Sequence, residues 1–192
     1  MALRSEQSHQ AILDATIALV DPEQGEGFSL QKLSIERIAK EAGVSKTTIY
    51  RWWPSKVAVV IDSFLDNHIA RTPLNDELPA LDALRDHLAS VAEIFGGGEG
   101  RLVAQLIAEC QHDPEVMKEF KERFWHNRRD VAYAVIQRGQ DEGVIRQDIS
   151  PAEVAELLYG PIYFRLLIPD GPLDRDWAHR HLNNALEGLR VR

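Results

Sequence analysis

Two helix starts follow one another closely between Ser34 and Lys56, and they constrain the fold more than any other stretch of the chain. Ser34 stands at an N-cap position, with Leu33 before it and Ile38 four residues after it as a hydrophobic staple. Ser45 repeats the arrangement with Val44 and Ile49. Gly43 falls just past the first of the two helices, where a positive φ reverses the chain at least cost. Helices this short are stable only when packed across their turn, as in a helix-turn-helix. The spacing predicts that Ile38, Ala39, Ala42, Val44 and Ile49 are buried, leaving Lys46, Thr47, Thr48, Tyr50 and Arg51 to solvent or DNA.

The formal net charge of −8 is unfavourable for a DNA-binding chain, but its distribution is not. From Lys32 to Lys56 six Lys and Arg face only Glu36 and Glu41, a local +4, so the rest of the chain carries −12. A basic face in an acidic protein orients it toward DNA, because the remainder is repelled. A solvated mixed-charge surface would be the plainer reading without the motif. At 44% hydrophobic and 27% charged, the 192 residues suit one domain, or a small domain fused to a modest one.

No apolar run reaches the ~20 residues of a membrane span. Met1 to Gln7 contains no apolar signal region, so no membrane partner and a cytoplasmic location are expected. The single cysteine, Cys110, excludes an intramolecular disulfide and reads as a small core residue.

The rest of the chain reads as helix, about nine in all, with no strand-like alternation. The first helix is expected over Ser8 to Val20. A fourth starts at Pro54-Ser55 and ends before Pro73, with Val57, Val60, Ile61, Phe64, Leu65 and His68 in its stripe. Leu81, Leu84, Leu88, Val91 and Phe95 mark a fifth, stopped by Gly96-Gly97-Gly98. A sixth spans about Arg101 to Gln111, and Asp113-Pro114 caps a long seventh ending near Gly143. Ser150-Pro151-Ala152-Glu153 is a capping box with Pro at the first helical position. It opens an eighth helix, in which Pro161 is expected to produce a kink. A ninth carries Ala178, Leu182, Ala185, Leu186 and Leu189. The apolar faces of these last two helices are too wide for so small a domain, which predicts pairing with a second copy in a four-helix interface.

The Ser34–Lys56 window resembles the N-terminal domain of the tetracycline-repressor (TetR) family of transcription regulators. The resemblance rests on Ile38-Ala39, Glu41-Ala42-Gly43-Val44-Ser45, Thr48-Ile49-Tyr50 and Pro54-Ser55-Lys56. Thr47 stands where the family often has Gly or Ala, and Trp53 where it often has Phe. The loop Asp21 to Lys32 is slightly longer than usual. Gly160-Pro161-Ile162-Tyr163-Phe164-Arg165 extends the likeness, more weakly, toward the C-terminus.

The resemblance implies an all-α fold with a three-helix DNA-binding domain over residues 1–72 and a regulatory and dimerisation domain over 73–192. The helix-turn-helix core is then 34–53. It implies a homodimer, joined through its two C-terminal helices, that reads a palindromic double-stranded operator and answers to a small-molecule effector. A repressor is expected rather than an activator, with two recognition helices about 34–36 Å apart. The DNA contacts are expected from Ser45, Lys46, Thr47, Thr48, Tyr50, Arg51 and Lys56, with Tyr50 and Lys56 on phosphates. Trp52 and Trp53 suit packing better than base stacking.

The aromatic residues available for an effector pocket are Phe95, Phe120, Phe124, Trp125, Tyr133, Tyr159, Tyr163 and Phe164. Phe95, Gln105, Glu109, Phe124, Trp125, Arg128 and Tyr163 are the preferred lining residues, since such sites are mostly apolar with a few polar groups. Aromatics at helical spacing also serve simply as core, and Tyr163 suits a dimer seam equally well. Two rival functions are a DNA-binding protein without small-molecule control and a metal-dependent helical-bundle enzyme. The latter rests on Glu109-x-x-His112, but di-metal chemistry needs a second such motif and further carboxylates. Asp176-x-x-His179 is a poor second copy, so no metal, cofactor or catalytic residue is assigned.

Overall fold

The computed structural model describes the backbone over residues 2–20 and 30–189, with side chains there except at 2–5 and 66–70. Residues 21–29, most of the expected long loop, and the side chain of His68 lie outside the described residues. The described chain is all helical: α1 (Ala2–Val20), α2 (Ile35–Glu41), α3 (Lys46–Tyr50), α4 (Lys56–Arg71), α5 (Ala80–Gly96), α6 (Gly98–His112), α7 (Pro114–Phe120), α8 (His126–Asp141), α9 (Pro151–Leu167) and α10 (Arg175–Leu189). A 3-10 turn covers Leu30–Lys32. A π turn at Lys121–Trp125 joins α7 to α8 without a break, so the described segments make nine rods, as the periodicity predicts.

Two expectations need correction. The first helix starts at Ala2, not near Ser8. Its opening turns are polar and show no stripe, yet Ala, Leu, Arg, Glu and Gln are good helix formers. The long seventh helix contains a π turn, which neither Gly nor Pro announces in the sequence. Pro161 lies inside α9 without ending it.

The local capping signals form at the expected residues. The Oγ atoms of Ser34 and Ser45 accept from the backbone N–H groups of Arg37 and Thr48. Asp113 caps α7, and Ser150 with Glu153 forms the complete capping box of α9. The α8 C-terminus closes as a Schellman motif, with Val144 N–H donating to Gly139 O at 3.0 Å around Gly143 at φ +72°.

The described chain forms two compact units. One comprises Met1–Ile69 and Leu102–Trp125, the other Ala70–Arg101 and His126–Arg192. In the first, Ile12 and Leu13 of α1 are buried, as are Ile38, Ile49, Trp53, Val57 and Phe64. In the second, α5 packs on α8, α9 and α10. Ala89 and Ala92 of α5 meet Ala178 of α10, small residues that let the two helices approach closely. A side chain at Gly96 would strike the backbone of Leu173, and one at Gly100 the backbone of Phe95. The glycine run therefore provides close approach as well as a stop.

The two C-terminal helices use their apolar faces differently. Ala178, Leu182, Leu186 and Leu189 of α10 are buried within their own unit. On α9, Val154, Leu158 and Ile162 are buried, while Leu157 and Phe164 are 54% and 59% exposed. Leu167 and Ile168 extend this outward stripe. No described helix is long and apolar enough to cross a membrane.

Candidate nucleic-acid interface

The turn between α2 and α3 is a Schellman motif centred on Gly43, whose φ is +64°. Val44 N–H donates to Ala39 O at 2.9 Å and Gly43 N–H to Lys40 O at 3.3 Å, satisfying carbonyls that the helix end leaves open. Ile38, Ala39 and Ile49 are buried at the joint, while Ala42 and Val44 are only half-buried. The five residues of α3 thereby project from a rigid corner.

Lys46, Thr47, Tyr50 and Arg51 are exposed, and Tyr50 is 55% accessible. Thr48 is half-buried and its hydroxyl lies 2.9 Å from Ser45 Oγ, so both hydroxyls help hold the helix start. Thr47 is the more open of the two threonines. Lys46 donates to Glu36 at 2.8 Å in an exposed pair. That hydrogen bond and its charge hold the Glu36 carboxyl below its ordinary range and raise the Lys46 ammonium above its own. An exposed pair of this kind gives way readily to a phosphate.

Behind α3 stands Trp53, 1% exposed and therefore a packing residue that cannot stack on bases. His9 of α1 stacks on its ring at 4.6 Å, and the indole N–H donates to Asp62 Oδ2 at 2.7 Å. Arg123 donates to the same oxygen at 2.9 Å and to Glu119 at 2.6 Å. The Trp at this position thus has a polar function that Phe could not perform. Trp52 is half-buried, with its ring edge-on to His9 at 5.4 Å.

Lys56 is placed differently from the other basic residues. Its ammonium donates to Leu30 O at 3.0 Å and Leu33 O at 3.2 Å, leaving one N–H for any other partner. Lys56→Met should therefore lower folding stability by about 1–3 kcal/mol, since two part-buried carbonyls lose their donor. Thermal unfolding without DNA checks this, and an unchanged Tm would show the bonds to be dispensable. Gln105 serves the same segment by accepting from Leu30 N–H at 2.7 Å.

The expected pocket residues fall into both units. Gln105, Glu109, Phe124 and Trp125 belong to the first, where Phe124 is buried against Phe64 and Phe120. Trp125 is 37% exposed. Phe95, Arg128 and Tyr163 belong to the second, where the Phe95 and Tyr163 rings meet edge-on at 5.6 Å. Arg128 donates to Thr72 and approaches His87, whose other ring nitrogen reaches Tyr159. The sequence reading missed His87 and Thr72. His87 stands on the buried stripe of α5, between Leu84 and Leu88, and a lone polar residue in such a stripe is the signal that would have found it.

Residues 27–62 match the family model of bacterial regulatory proteins, tetR family, and residues 76–185 match that of the tetracyclin repressor-like C-terminal domain. The HTH-type transcriptional regulator YdeS of Bacillus subtilis is 32% identical over 188 residues, covering 98% of this chain and 92% of that protein. The crystal structure of the TetR family transcription regulator SCO0332 has a TM-score of 0.79 at 27% identity, over 100% of both chains. FadR from Bacillus subtilis, solved in complex with stearoyl-CoA, shares the fold with a TM-score of 0.70 at 18% identity, over 93% of this chain and 98% of that one. These relatives are regulators and not enzymes, which removes the helical-bundle enzyme as a rival. With both halves matched and a full-length relative beside them, the chain belongs to the tetracycline-repressor (TetR) family of transcription regulators.

Proposed function

We propose that the protein is a ligand-responsive repressor that acts in the cytoplasm as a homodimer on a palindromic operator. Residues 1–72 read DNA, and residues 73–192 dimerise and bind the effector. The observation that carries the DNA reading is the exposure of Lys46, Thr47, Tyr50 and Arg51 on one short helix, within the basic stretch of an otherwise acidic chain. Such a helix enters the major groove with its first residues at base edges. Thr47 presents a methyl and a hydroxyl to bases, Arg51 and Lys46 present donors, and Tyr50 and Lys56 complete the phosphate contacts. Ser45 and Thr48 hold the helix start against the backbone.

Fluorescence anisotropy tests this on an operator selected from a randomised duplex pool. Tyr50→Ala and Arg51→Ala should each weaken binding by about tenfold. Where the truncated side chain neutralises a phosphate, the salt dependence should also flatten by about one unit of slope. Unchanged affinity in both variants would sink this docking.

The outward stripe of Leu157, Phe164, Leu167 and Ile168 supports dimerisation, since an apolar stripe on a soluble protein marks an interaction surface. The two C-terminal helices then form the seam, with α9 providing most of its apolar area. For the effector, Phe95, Arg128 and Tyr163 in the second unit are the residues of choice. FadR, with stearoyl-CoA bound, illustrates that this fold accommodates a small molecule. The effector would favour a geometry in which the recognition helices no longer match the operator, a shift between two populations.

A further inference from the structure

His87 is 4% exposed, and its two ring nitrogens lie against Arg128 and Tyr159. Nε2 lies 2.7 Å from Arg128 Nη2, a nitrogen that can only donate, so Nε2 accepts. The ring hydrogen is therefore on Nδ1, which donates to the Tyr159 oxygen at 2.7 Å. A hydrogen on Nε2 would point an N–H at the Arg128 N–H. With its oxygen accepting from His87, the Tyr159 hydroxyl turns its own hydrogen elsewhere, and that hydrogen has no acceptor among the described residues.

Arg128 is equally incomplete. Its Nη2 serves Thr72 O at 3.2 Å, Thr72 Oγ1 at 2.9 Å and His87. Its Nε–H and the two hydrogens of Nη1 have no acceptor among the described residues, and no described carboxylate forms an ion pair with it. Burial depresses the Arg128 pKa and raises that of Tyr159, so the latter is a neutral hydroxyl donor. A half-buried cation without a counter-ion among the described residues carries a desolvation cost, and an anion beside it would offset that cost.

We infer that Arg128 and Tyr159, set by His87 and Thr72, form the head-group site of the effector and receive a monoanionic carboxylate. The Arg128 guanidinium supplies one positive charge, and the hydrogens that it and Tyr159 still offer call for an acceptor. The ligand body runs along Tyr163, one helical turn beyond Tyr159, and its ring partner Phe95. This deepens the regulatory reading and rests on it. The imidazole is a positioning group, holding guanidinium and phenol in one arrangement.

The test is calorimetry and thermal shift on the full-length protein. The probes are straight-chain acids from acetate to palmitate, benzoate, the matching amides and octyl phosphate. At least one acid should bind and stabilise, and its amide should bind about 10- to 100-fold more weakly, the loss expected for a charge-assisted hydrogen bond. Arg128→Gln should lose the preference for acid over amide, and Tyr159→Phe, which keeps the packing, should weaken the acid by about 5- to 10-fold. The assignment is overturned if no acid binds, if amide or phosphate ester matches the acid, or if Tyr159→Phe leaves affinity unchanged. Operator release is read separately on the selected duplex. An acid that binds at Arg128 without releasing DNA supports the site and refutes the regulatory reading, whereas release by neutral probes alone does the reverse.

Discussion

Leu157→Glu combined with Phe164→Glu is expected to convert the protein into a folded monomer that no longer holds its operator. Both side chains are more than half exposed and contribute little to the core, so the fold should survive. In a dimer they would be covered, and four carboxylates would then be brought into an apolar seam without partners, a cost far above what the native apolar pairing supplies. Once the two reading heads separate, each binds its half-site independently. Without the effective concentration provided by the partner, operator binding should weaken by about 100-fold or more. Light scattering and anisotropy on the same samples check both steps. A double variant that stays dimeric would place the seam elsewhere, and a monomer with intact operator affinity would refute the paired reading of a palindrome.

The second large effect is expected in the core of the first unit. Trp53→Ala should lower stability by about 3–5 kcal/mol, because a fully buried bicyclic ring leaves a cavity that the helices around it cannot close. Against a typical total of about 5–15 kcal/mol, this is enough to unfold much of the population near physiological temperature. Trp53→Phe separates the two parts of that loss. It keeps most of the packing but removes the N–H that Asp62 accepts at 2.7 Å, and should cost about 1–3 kcal/mol. Asp62→Asn in the Trp53→Phe background should cost less than in the native protein if the two groups are coupled. Urea denaturation with matched slopes measures all of these. Equal costs in both backgrounds would mean that Arg123 alone governs Asp62.

These two predictions mark different degrees of legibility in the sequence. The Ser34 and Ser45 caps, the Gly43 turn and the Ser150–Glu153 capping box involve groups only a few residues apart. Their chemistry is decided by local backbone geometry, and they form where the sequence places them. The apolar stripes are also legible, but not their destinations. Periodicity shows that α9 and α10 each have an apolar face, and only the packing on α5 shows that α10 buries its stripe at home while α9 keeps Leu157 and Phe164 outside.

The site residues divide in the same way. Tyr50 and Arg51 stand exposed on a helix whose start, turn and face follow from a dozen neighbouring residues. Lys56 is legible as a basic residue at a helix start, but its hold on the Leu30 and Leu33 carbonyls depends on where a distant 3-10 turn is packed. Arg128, His87, Thr72 and Tyr159 come together from separate helices and a connection, 41 to 72 residues apart where the structure joins them. No window of sequence contains them.

The all-α fold and the exposed second helix of the helix-turn-helix were therefore readable from the order of residues alone, because hydrogen-bonding caps and hydrophobic spacing act over a single turn, while the family was read from the resemblance of its motif. Which apolar face remains open, and which cation has no counter-ion among the described residues, was settled by the packing of distant helices. Burial and charge pairing are properties of neighbours in space, and the chain brings those neighbours together only when it folds.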